Sequence, residues 1–151
     1  MNKAVDYFHK ASYLQYPFMI ISFWYAIKPY TYLFDDPENG LFLALADYQN
    51  MLVFLGLGLS FSTLQDTTKT QNSFSRKVWE NPRKGKLFIG MLIGCIIFCF
   101  VIGIVGLYYD EKTVLNELSY GCIVLAIGIL GLLKSATEMF ENHRLDKRNG
   151  E

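Results

Sequence analysis

Apolar runs alternate with short polar stretches along this chain, and the longest, Leu87 to Tyr109, contains no charged side chain. Others occupy residues 17 to 27, 41 to 46, 51 to 61 and 118 to 133. A bilayer core about 30 Å thick needs roughly 20 helical residues, because each adds about 1.5 Å. With their flanks the runs predict four transmembrane helices, at about 16–34, 41–64, 86–109 and 114–135. The first has the weakest pattern, since Lys28 and Pro29 interrupt it and Pro17–Ile27 alone is short for a crossing. The expected fold is an all-α integral membrane protein with a single domain over residues 1–151. Its four helices pack as two antiparallel hairpins, with short amphipathic cytoplasmic segments beside them.

Local signals agree with these boundaries. The run Asp36-Pro37-Glu38-Asn39-Gly40 is turn chemistry between the first two spans. Thr113 is placed to cap the fourth, with Glu117 near its positive end. Ala4, Tyr7, Phe8, Ala11, Leu14 and Phe18 recur at helical spacing, which predicts an amphipathic surface helix kinked at Pro17.

Charge adds the orientation. Twelve of the fourteen Lys and Arg fall in the amino-terminal tail, the loop at 65–85 with Lys86 just after it, and the region from Lys134 onward, all on one side of a four-span chain. The two connections on the other side carry Asp35, Asp36, Glu38, Asp110 and Glu111. Basic residues collect on the cytoplasmic side, so both termini are expected there. Composition supports the class, with 52% hydrophobic and 16% aromatic residues. Ala44-Leu45-Ala46 resembles a signal-peptidase site but lies inside the second apolar run, so residues 16–34 read as a span. Short loops and no signal peptide point to a bacterial inner membrane.

Ionisable residues inside spans are the first candidates for function, because charge at that depth is costly. Lys28 and Asp47 each lie six residues from the outer connection, roughly 9 Å deep at about 1.5 Å per residue. They are expected to pair, with Asn50 one turn deeper and Glu117 a further candidate. The group is either an ion site or gate, or a structural pair that fixes the two helices. Small residues are the second candidates, since lipid supplies no hydrophobic drive between helices and close backbone approach replaces it. Cys95, Cys99, Gly103 and Gly106 share one face of the third span, Gly90 and Gly94 form a GxxxG on an adjoining stripe, and Gly121 and Gly128 share a face of the fourth. These serve packing within the chain, between subunits, or both. In the inner loop Phe74, Arg76, Lys77, Trp79, Arg83 and Lys84 mix aromatic and basic character, as a cytoplasmic contact or headgroup-binding segment would.

The sequence carries no catalytic constellation. His9 and His143 flank the spans, no CxxC pair occurs, and phosphate-loop, serine-elbow and zinc-protease motifs are absent. The longest polar stretch is too short for a separate core. No enzyme activity, cofactor, metal or nucleic-acid partner is expected. The partners expected are the lipid bilayer and either another membrane protein or further copies of this chain. The preferred function is an accessory or scaffold subunit of a membrane complex. The rival is a homo-oligomeric channel or carrier. A pore needs the polar faces of the first two spans to line a continuous wet path, whereas a scaffold buries them against each other.

Overall fold

The computed structural model describes residues 3–33, 37–65, 73–109 and 113–145. The helices among them are α1 (Lys3–Ser12), α2 (Gln15–Ile27), α3 (Tyr30–Leu33), α4 (Pro37–Ser62), α5 (Ser73–Trp79), α6 (Pro82–Leu107) and α7 (Val114–His143). Three are long and apolar enough to cross a membrane: α4 from Gly40 to Ser62, α6 and α7, with 23, 26 and 30 residues.

The expected first span is not one helix. α2 has 13 residues, about 20 Å of rise. Pro29 has no N–H and its ring crowds the backbone before it, which stops the helix. The last α-type bond runs from the Lys28 N–H to the Trp24 carbonyl at 2.9 Å. Tighter i to i+3 bonds follow, Thr31 N–H to Lys28 O at 3.1 Å and Tyr32 N–H to Pro29 O at 3.3 Å.

Two other local expectations are corrected. Pro17 does not kink the chain, because it sits in the first turn of α2, where an N–H has no helical partner to lose. The break falls earlier, at Tyr13 and Leu14, whose N–H groups bond to Lys10 O and Ala11 O. Pro37 to Gly40 form the first turn of α4 rather than a loop, a position proline tolerates for the same reason. Residues 34–36 lie outside the described residues, as do Asp110 and Glu111.

The four main helices stand in the spatial order α2, α4, α7, α6. Ser22 Oγ donates to Met51 O at 3.0 Å and Gln15 lies beside Gly58, so α2 and α4 run antiparallel. Phe18 and Tyr25 stack on Phe54 along this contact, and Phe18 also stacks on Phe61. Gly121 lies on Gln49, Gly128 on Gly56 and Gly131 on Thr63, so α4 and α7 run parallel. Gly85 faces Phe140 and Gly106 faces Leu115, so α6 and α7 run antiparallel.

α7 continues eight residues past its expected end at Ser135, because Ala136 and Phe140 have something to cover. They join Trp79, Leu92, Ile96 and Ile129 in the main apolar cluster. Elsewhere the buried positions include the small residues Ala44, Ser119 and Ala126, while Ile20, Phe23, Trp24 and Phe98 are exposed. Large apolar side chains outside and small residues between helices suit a membrane, where lipid solvates the former and backbones must approach closely at the latter.

Candidate functional site

The polar group at the α2–α4 contact arises from the break at Pro29. Ending α2 there frees Lys28 to turn toward α4, and its Nζ lies 3.0 Å from Asp47 Oδ1. The short α3 then brings Tyr32 back over the same carboxylate, and its hydroxyl donates to Asp47 Oδ2. Asp47 is 5% exposed. The Lys28 side chain is 43% exposed, with its ammonium 5.7 Å from the Tyr25 ring centroid. Each carboxylate oxygen therefore has a donor, and the pair is satisfied internally. Burial of an ion pair is tolerable only with such additional hydrogen bonds.

Two candidates fall outside this group. Among the described residues Asn50 makes no hydrogen bond to Asp47, Lys28 or Tyr32. Glu117 lies in the first turn of α7, where its N–H bonds to Thr113 O, and it forms no ion pair among the described residues. Tyr32 was missed in the sequence because a single helix through residue 34 would not return it to Asp47. Its position four residues after Lys28, across a proline, was the available signal.

The glycine stripes divide sharply. Gly103 and Gly106 are buried against α7, where an added Cβ would meet Ile123 Cγ1 at 2.5 Å and Leu115 O at 2.3 Å. Gly121 and Gly128 are buried against α4, and a Cβ on Gly128 would lie 2.3 Å from Gly56 O. A Cβ on Gly90 or Gly94 would meet nothing within 4 Å. Cys95 is exposed, Cys99 half-buried and Cys122 buried, all as free thiols. Gly56 escaped the sequence reading although Gly56 and Ser60 are small residues one turn apart. Polar stitches reinforce these contacts: Ser135 Oγ donates to Thr63 O at 3.1 Å, and the Asn116 amide donates to Gly106 O and Tyr109 O at the end of α6.

On the side of the chain that carries the basic loop, the six expected contact residues separate. Trp79 is corrected from an exposed contact to a core residue, 7% exposed and edge-on to Phe88 at 5.3 Å. The apolar cluster with Phe140 is what draws it inward. Arg76 is bound to Glu80 at 2.7 Å. Lys77, Arg83 and Lys84 border an open cavity together with Glu80, Asn81, Pro82 and Leu145. The Phe74 side chain and the polar run at 66–72 lie outside the described residues.

Among the described residues no group of three His, Cys, Asp or Glu converges to hold a metal ion. No protein-family model matches the chain, and no curated protein or solved structure matches it significantly.

Proposed function

We propose that the chain is a small accessory or scaffold subunit of a membrane complex, without catalytic activity of its own, crossing a bacterial inner membrane four times with both termini cytoplasmic. The observation that carries this reading is the outer side of α6. Gly90 and Gly94 leave open space beside the backbone, flanked by exposed Leu87, Met91, Ile97 and Phe98. In lipid, a GxxxG notch of this kind is a favourable place for a second helix to approach. The inward small residues are already occupied by α4 and α7, so this notch is what remains for a partner.

The polar group supports the same choice. A channel would need Lys28, Asp47 and Asn50 along a wet path, whereas Asp47 is buried and held by Lys28 and Tyr32. α2 and α3 together form the first, broken span, covering 15–33. The parallel course of α4 and α7 fits two antiparallel hairpins laid side by side.

Purification of the tagged full chain in nanodiscs, followed by mass determination, tests the role. Other proteins in fixed ratio are expected, and loss of that ratio on Gly94→Ile would place the contact on α6. A single species at an integral multiple of 17.4 kDa would overturn the accessory role in favour of the homo-oligomeric channel. Topology has its own test: cysteines introduced at Tyr7 and Tyr30 should label from opposite sides. Labelling from one side would remove the first span.

A further inference from the structure

The basic residues at the start of α6 are arranged against their own helix. An α-helix carries partial positive charge at its N-terminus, so anions are favoured there and cations are not. α6 opens Pro82-Arg83-Lys84-Gly85-Lys86 with no acidic residue in its first turn. The backbone donors there are already engaged, since Asn81 Oδ1 accepts from Arg83 N–H at 3.0 Å and from Lys84 N–H at 3.3 Å. The uncompensated charge is therefore on the side chains.

Two neighbouring arginines are paired with carboxylates, while the cations around the start of α6 are not, among the described residues. Arg76 pairs with Glu80 and Arg144 with Glu141. Lys77, Arg83 and Lys84 form no ion pair among the described residues. All three border one cavity of about 670 Å³. Its walls are fixed by the fold: buried Trp79 anchors the end of α5, and the Leu145 N–H bonds to Glu80 O at 3.4 Å across the far side. Depth points the same way. Leu87 and Met91 follow Lys84 on the same face of α6, and both are exposed and apolar. A ligand seated among the three cations would have its polar part at the cavity and an apolar tail along α6.

We propose that this cavity binds the phosphodiester headgroup of an acidic phospholipid from the cytoplasmic leaflet. The anion offsets both the three unpaired side chains and the positive end of α6, and its acyl chain lies along Leu87 and Met91. This inference rests on the helices being membrane spans with this end cytoplasmic, and the lipid's acyl chain shares Leu87 and Met91 with the flank of the notch proposed for a partner helix.

The test uses the full chain in neutral detergent micelles, titrated with phosphatidylglycerol or phosphatidylcholine and read by native mass spectrometry. One phosphatidylglycerol should be retained in preference to phosphatidylcholine, and the preference should fall roughly fivefold for each cation removed. The variant with Lys77→Gln, Arg83→Gln and Lys84→Gln should lose it while keeping the helical content of the parent, since all three side chains are exposed. Lys134→Gln, on exposed α7 surface, should keep it. Equal retention of both lipids overturns the proposal, as does a triple variant that still discriminates. Complete displacement of the lipid by millimolar inorganic phosphate also overturns it, in favour of a site for soluble anions. Resistance of the protein to alkaline extraction from membranes is measured first, so failure of the membrane reading is seen separately.

Discussion

The seam between α4 and α7 and the outer side of α6 are both marked by glycine, and they differ in what stands opposite. At Gly128 the neighbour is the backbone of Gly56, so close that a single added carbon has no room. At Gly90 and Gly94 the neighbour is open space. The first arrangement lets two helices run side by side at backbone contact, with Ser135 reaching Thr63 O at one end. The second leaves the same capacity unused within the chain. A small-residue motif thus states only that a helix can be approached closely. Which helix approaches it is decided elsewhere.

Substitutions sharpen this difference, beginning with the seam. Gly128→Leu should cost about 3 kcal/mol or more, because neither backbone can give way, while Gly94→Leu should leave the stability of the isolated chain nearly unchanged. Detergent-denaturation curves of the two variants check this, and equal losses would break the distinction. A contact made through side chains comes next. Lys28→Met strands the buried Asp47 carboxylate with only Tyr32 and should cost about 2 kcal/mol, less than a fully buried pair would because Lys28 is half exposed. Asp47→Asn should cost about 1 kcal/mol, since its amide oxygen can still accept from Tyr32 and the lysine can reach water. The reverse order would show that Lys28 is the residue that needs its partner.

Smaller effects follow. Asn116→Ala removes the donor to Gly106 O and Tyr109 O and should cost about 1 kcal/mol, at the upper part of the range for polar contacts between membrane helices. Gly94→Ala should shift stability by less than about 0.5 kcal/mol yet weaken association in the nanodisc pull-down. Unchanged association would remove the outer notch from the proposed interface.

The site was readable in the sequence to the extent that its parts obey local rules. Lys28 and Asp47 are ionisable residues in apolar surroundings at matching distances from one connection, and pairing follows from that. Tyr32 was not readable, because its approach depends on how the chain resumes after Pro29. Trp79 was misread for a related reason. An aromatic in a basic loop looks interfacial until the extra turns of α7 bring Phe140 beneath it.

Composition and periodicity by themselves determined an all-helical chain, three of the four expected spans as long apolar helices and the segregation of its charge, because lengths of apolar sequence and capping residues such as Thr113 act within a few turns. Tertiary structure alone decided the order α2, α4, α7, α6, the direct contact of α4 with α7, and the division of the glycines into occupied and open. Those depend on which surfaces meet across the helices, and residues such as Gly56 and Gly128, far apart in the chain, carry no mark of each other until they touch.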